Sequence, residues 1–261
     1  MGPEPAGAHC IHRAQHALLR RPTAIKLMHA EFARGESAKT RFEREVQITS
    51  SLTHPNTVKV MMYGELDNGA LYIVMEYLEG RNLNQVVRRG GPLSVDRAIP
   101  VLLQVCGALH EAHQLGIVHR DIKPANLIYN PKEGSLKISD FGVARITDNN
   151  RTKTGIVLGT PMYMSPEQLG AENLTGLSDL FSLGVTLYEL LVGEVPFRAS
   201  NIAVLMTKIT TEDPAPVSSR RAGIPPSVDA VLAKAMAKNP SRRFSCGAEM
   251  AIALRNCARV S

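Results

Sequence analysis

The string His119-Arg120-Asp121-Ile122-Lys123-Pro124-Ala125-Asn126, followed at residues 140–142 by Asp140-Phe141-Gly142, concentrates side chains that could act together on a phosphoryl group. Phosphoryl transfer needs a carboxylate at the attacking hydroxyl, oxygen ligands for a Mg²⁺ ion bridging the phosphates, and a cation on the group in transit. In this string Asp121 would orient the hydroxyl and accept its proton, and Lys123 would neutralise charge at the γ-phosphate. Asn126 with Asp140 would hold Mg²⁺. The plain alternative is a turn rich in polar residues. Several further motifs in matching order and spacing weigh against it.

These residues need elements to position them. Thr23 to Met28 alternates like a half-buried strand, and Val58 to Tyr63 and Leu71 to Glu76 share its β-branched and aromatic bias. Between them the spacing of Phe42, Val46, Ile48 and Leu52 predicts an amphipathic helix over 38–52, stopped by His54-Pro55-Asn56. After Glu79-Gly80-Arg81-Asn82 the pattern turns helical. Ser94 is the expected N-cap of a helix running toward Leu115 with Gly116 as its stop, and Pro100 should bend that helix or delay its start. The stretch Leu180 to Val192 is apolar nearly all round, the mark of a helix buried on every side, with Gly193 and Pro196 ending it. A β-rich lobe, a linker near Tyr77 to Gly80 and an α-rich lobe make an α+β, two-lobed architecture. The boundaries read as 1–77, 78–80 and 81–261.

Composition removes several function classes. With 44% hydrophobic and 21% charged residues the chain can bury a core and has no disordered bias. The net charge of +6 would suit anionic partners, but its lysines and arginines are scattered beyond pairs at 20–21 and 88–89, so no nucleic-acid partner is expected. The apolar stretch at 180–192 is too short for a membrane span and is interrupted by Glu189, so any anchor would lie outside these residues. Cys10, Cys106, Cys246 and Cys257 lack metal or disulfide spacing and read as free thiols in a reducing, cytoplasmic setting.

Over roughly residues 10–258 the chain resembles the eukaryotic-like protein kinase family, in its bacterial form. Ala24-Ile25-Lys26 is similar to the family's lysine strand, which implies that Lys26 meets the α- and β-phosphates of ATP and that Glu45 on the following helix holds Lys26. Met75-Glu76-Tyr77-Leu78 resembles the hinge, implying Met75 as gatekeeper and adenine contacts from the backbone of Glu76 and Leu78. Ala24 and Ile128 would complete the ATP pocket. The resemblance also implies that Glu167 of Ser165-Pro166-Glu167 pairs with Arg243, and that Asp179 of the buried helix accepts hydrogen bonds from the backbone around Asp121. Lys123, with Thr160 in Gly159-Thr160-Pro161-Met162-Tyr163, resembles serine/threonine rather than tyrosine kinases. The expected activity is transfer of the ATP γ-phosphate to protein Ser and Thr hydroxyls with Mg²⁺. The alternatives are a scaffold that keeps the fold without turnover and, more distantly, a small-molecule kinase.

The pattern departs from the family at its start. Glu4, Ala6 and His9 stand where the glycines of a phosphate-covering loop are expected, so weak nucleotide binding and low turnover are expected. The first strand of the sheet would precede Met1, which would leave the strand near residues 10–16 as a sheet edge. His9, Cys10, His12 and His16 are metal-ligand types without a second cluster, and His110 and His113 read as surface and packing residues. Arg120 beside Asp121 could engage a phosphate on the activation segment. Thr152 and Thr154 are the expected acceptors, modified by a second copy of the chain, while Thr147 lies too near the Mg²⁺ loop. The plainer reading is a loop whose threonines are polar filler.

Overall fold

The structure, a computed structural model, describes residues 9–15, 20–28, 36–141 and 161–258. The first unit is an antiparallel sheet of strands β1 (His9–Gln15), β2 (Pro22–Met28), β3 (Val60–Glu65) and β4 (Leu71–Glu76), in the order β1-β2-β4-β3, with helix α1 (Glu36–Ser50) packed on it. Alternation along β2 puts Ala24, Lys26 and Met28 on the covered face. There Ala24 and Met28 join Phe42 and Val46 of α1 and Leu71, Ile73 and Met75 of β4 in one apolar cluster. A lysine in the middle of such a face is costly unless partnered, which marks Lys26 as placed for a purpose.

Two local expectations are corrected. The strand expected from Val58 starts at Val60, because Thr57 and Val58 instead run beside β7 (Ser135–Ile138), where the Val58 N–H donates to the Ile138 carbonyl at 3.0 Å. Helix α1 begins and ends two residues earlier than its apolar spacing suggested. On β1, Ile11 and His12 are adjacent strand positions and so point to opposite faces of the sheet. Both are exposed, and β1 lies at the edge of the described sheet.

Residues 77–80 carry the chain from the first sheet to β5 (Arg81–Asn82), which pairs with β6 (Leu127–Asn130), itself paired with β7. Gly80 sits at φ 133°, and a Cβ there would come within 2.4 Å of the Tyr129 carbonyl oxygen, so only glycine lets the two backbones approach. The rest is helical: α2 (Leu83–Gly90), α3 (Val95–Gln114), α4 (Pro166–Leu169), α5 (Gly176–Val192), α6 (Ile202–Thr211), α7 (Val217–Arg220), α8 (Pro226–Ala235) and α9 (Gly247–Ala258). Helix α3 starts directly after Ser94 and runs through Pro100, so Pro100 does not delay its start. The proline removes only the N–H that would serve the Asp96 carbonyl, and both residues are exposed, where water can serve it instead. Helix α5 is buried on all faces from Ser178 to Tyr188 and forms the axis on which the large lobe is assembled.

Candidate active site

Helix α5 positions the site through one carboxylate. Asp179, with no exposed surface, accepts hydrogen bonds from the backbone N–H groups of His119 (2.8 Å) and Arg120 (2.7 Å) and from His113 Nε2 (2.8 Å). This holds Arg120 at φ 70°, a left-handed conformation rare for a residue with a side chain. His119 is fixed at both ring nitrogens: Nδ1 accepts from the Asp121 N–H at 3.2 Å, so Nε2 carries the proton it donates to the Ser139 carbonyl at 2.9 Å. The ring also meets Phe141 edge to face at 4.6 Å.

Asp121 therefore leaves a rigid backbone. Its Oδ2 is 2.8 Å from Lys123 Nζ and 3.0 Å from Asn126 Nδ2, which also donates to the Asp121 carbonyl at 2.8 Å. The Asp121 side chain is still 40% exposed, so an incoming hydroxyl can reach it. Across the cleft, Asp140 stands at φ 65° and forms an ion pair with Lys26, which is 1% exposed. The Asn126 carbonyl accepts from Ser139 N at 2.9 Å, fastening the Asn126 turn to the segment that carries Asp140. Thus Asp121, Lys123 and Asn126 form one cluster, and Lys26 with Asp140 forms a second. Glu45 lies in α1, but its side chain is outside the described residues.

Around the linker, Glu76, Leu78 and Ile128 line one cavity of about 200 Å³ together with Lys137. Ala24 and Met75 are instead paired with each other across β2 and β4 in the apolar cluster. The Glu76 carboxylate accepts from Lys137 Nζ (2.6 Å) and from the Lys59 N–H (2.7 Å).

Beneath the site, Glu167 and Arg243 form a buried bidentate pair at 2.6 and 2.8 Å, with Ser178 Oγ donating to Glu167 at 2.7 Å. Burial pushes the Glu167 carboxyl up, but the Arg243 and Ser178 hydrogen bonds outweigh it and hold it below the ordinary carboxylate value. Gln168 completes a capping box with Ser165 and donates Nε2 to the Arg120 carbonyl at 2.8 Å, so the start of α4 and the Asp121 loop are one unit. Gly142, Thr147, Thr152, Thr154 and Thr160 lie outside the described residues, as do Glu4, Ala6 and the side chains of His9, Cys10 and His16.

Several positioning residues were not anticipated. His113, expected to be a surface or packing residue, is an anchor of Asp179 because the turn of α3 that carries it faces α5. Glu111 accepts from the Thr53 and His54 N–H groups, both at 2.9 Å, and Gln104 Oε1 accepts from Asn56 Nδ2 and Leu136 N, both at 2.8 Å. Burial raises the Glu111 carboxyl, yet those N–H donors win and keep it below its ordinary value. Together these bonds tie the segment after α1 to the large lobe. The signal available was the seven-residue spacing of Gln104 and Glu111, which puts two polar groups on one face of a mostly buried helix.

Residues 8–253 match the protein kinase domain family. The serine/threonine-protein kinase PknB of Mycolicibacterium smegmatis is 44% identical over 246 residues, covering 92% of this chain and 39% of that protein. The serine/threonine-protein kinase pkn3 of Myxococcus xanthus is 38% identical over 243 residues, covering 89% and 44% respectively. The chain thus spans well under half the length of these relatives. Among solved structures, the crystal structure of the Mycobacterium tuberculosis PknI kinase domain aligns with a TM-score of 0.76 at 27% identity, covering 97% of this chain and 92% of that one.

Proposed function

Because the chain belongs to the protein kinase domain family, we propose that it transfers the γ-phosphate of ATP to serine and threonine hydroxyls of proteins. The observation that carries this reading is the convergence of Asp121, Lys123 and Asn126 in one hydrogen-bonded cluster, opposite the Lys26–Asp140 pair. In it Asp121 orients the acceptor hydroxyl and takes its proton, and Lys123 neutralises charge on the transferring group. Lys26 steadies the α- and β-phosphates. Hard oxygen donors suit Mg²⁺, and the donor set fits: the Asn126 nitrogen is the atom tied to Asp121, which leaves its oxygen for the metal, and Asp140, next to the Ser139 that bonds the Asn126 carbonyl, would add a carboxylate. When bound, Mg²⁺ would supply charge neutralisation on the phosphate oxygens.

Glu76 and Leu78 offer backbone groups to adenine, Met75 guards the back of the pocket, and Ala24 and Ile128 sandwich the base. Residues 78–80 divide the lobes. With Glu4, Ala6 and His9 at the glycine positions, phosphate positioning is poor and turnover low. Thr152 and Thr154 are modified by a second copy of the chain, and the domain works in the cytoplasm, a setting that suits the free thiols of Cys106, Cys246 and Cys257. No described helix is long and apolar enough to cross a membrane. The scaffold alternative finds no support in relatives named as kinases.

The test is acceptor class and metal dependence. Peptide libraries with Ser, Thr or Tyr acceptors are incubated with labelled ATP, with and without Mg²⁺. Label on Ser and Thr only, and only with the metal, is expected. Label on Tyr alone, or ATP hydrolysis without transfer, overturns the reading.

A further inference from the structure

Lys137 stands on β7, and its ammonium reaches two other segments of the chain. Nζ donates to the Glu76 carboxylate at 2.6 Å, where β4 ends and the linker begins, and to the Thr57 carbonyl at 3.3 Å, in the segment after α1. The same Glu76 oxygen accepts the Lys59 N–H at 2.7 Å, and the Glu76 N–H donates to the Lys59 carbonyl at 3.0 Å. The segment is also fastened to β7 directly, since the Ile138 N–H donates to the Asn56 carbonyl at 2.8 Å and the Val58 N–H to the Ile138 carbonyl at 3.0 Å. The ammonium thus closes a ring of three parts: β7, residues 56–59 and the start of the linker.

Beyond Glu76 the linker runs beside open space. A cavity of about 200 Å³ lies there, lined by Tyr77, Leu78 and Glu79 as well as by Glu76, Ile128 and Lys137. The next strand pairing to the large lobe is that of Arg81 with Tyr129. We propose that Lys137 is a positioning residue for the nucleotide: its bonds to Glu76 and Thr57 strap the linker to the large lobe, so that the backbone of Glu76 and Leu78 is in place before adenine arrives. The proposal rests on the reading of those two residues as the adenine contacts.

The side chains of Lys137 and Glu76 are 28% and 31% exposed, so as a partly solvated ion pair they contribute little to overall stability. The consequence is local. Without the pair the linker can leave β7 in a fraction of molecules, and a nucleotide that requires the strapped position binds only the remainder, so its apparent affinity falls by that fraction. The modest strength of a partly exposed pair limits the fall to about fivefold. Ile128 is directly opposite Lys137 in the β6–β7 register, so the strap sets the linker against the residue proposed to meet the base.

The test titrates ADP with Mg²⁺ into the full chain by calorimetry and follows amide exchange without nucleotide. Lys137→Met should weaken ADP binding about threefold to fivefold and speed exchange across residues 76–80 by a similar factor, with exchange in β2 unchanged. Glu76→Gln keeps its backbone groups and an oxygen for the Lys59 N–H, and should do the same. The double variant should be no weaker than either single one. Lys137→Arg should return affinity and exchange to within about twofold of the parent. Lys132→Met, which removes an exposed charge between β6 and β7, should match the parent. A parent that binds no ADP overturns the functional reading, and exchange at 76–80 then decides the strap by itself. Unchanged exchange there in Lys137→Met, additive losses in the double variant, Lys137→Arg as weak as Lys137→Met, or equal weakening by Lys132→Met would overturn the proposal.

Discussion

Replacing Asp179 by asparagine removes one charge and alters no volume, yet it should disable the site. The carboxylate accepts three hydrogen bonds, two at Oδ2 and one at Oδ1. An amide has one acceptor oxygen. If that oxygen serves His119 and His113, the amide nitrogen confronts the Arg120 N–H, a donor facing a donor. Losing one charge-assisted bond and weakening the other two to neutral ones costs about 3–5 kcal/mol, since such bonds are worth roughly 1.5–3 kcal/mol each and neutral ones about 1. Against a total stability of roughly 5–15 kcal/mol that is a large fraction. Arg120, no longer held at φ 70°, would relax toward commoner backbone conformations and carry Asp121 with it. A displacement near 1 Å at the catalytic group costs on the order of 10²-fold in rate. Urea denaturation gives the first figure, and single-turnover transfer at low temperature, where the variant remains folded, gives the second. A variant within about 0.5 kcal/mol of the parent, the range of surface substitutions, with an unchanged transfer rate would refute the reasoning that Asp179 sets the geometry of the loop.

Arg243→Ala strands the buried Glu167 carboxylate and should cost about 3–5 kcal/mol, whereas replacing both partners with leucine should cost less than the sum of the two single changes. A double-mutant cycle in urea reads that difference. Gly80→Ala places a Cβ 2.4 Å from the Tyr129 oxygen at a φ of 133°, so stability should fall by about 2–4 kcal/mol and nucleotide affinity with it, as checked by denaturation and ATP titration. Hydrogen bonds from Lys234 and Ser245 hold the Glu249 carboxyl down to about 2. Its contribution is therefore complete above the unfolded carboxylate value and lost as pH falls through about 2. Because both side chains of the Lys234 pair are more than a third exposed, solvent limits it to about 1 kcal/mol. The stability gap between the parent and Glu249→Gln should close between about pH 4.5 and 2.

The clustering of the residues proposed to react was legible because they lie within short strings: Asp121, Lys123 and Asn126 stand close together in sequence, and Asp140 follows one hairpin later. The buried axis was legible too, since a run that is apolar on every side admits few other placements. What escaped was set by contacts distant in sequence. His113 looks like any helix-surface histidine until α5 brings Asp179 against it. Gln168 carries no signal in the sequence that its nitrogen reaches the Arg120 carbonyl, a contact made only in the fold. Val58 has strand propensity, but the pull of β7 decides its partner, an instance of tertiary pairing overriding local preference. Pro100 was weighed by its usual harm to helices, and its exposure removes most of that harm.

In the proposed reaction Asp121 accepts the proton of a Ser or Thr hydroxyl during transfer from ATP. The most direct measurement compares single-turnover transfer of the γ-phosphate to a threonine peptide by the parent chain and by Asp121→Asn, with Mg²⁺ and with matched circular dichroism spectra. Loss of a general base predicts a fall of about 10²–10⁴-fold with nucleotide binding retained. Equal rates for the two proteins would contradict it.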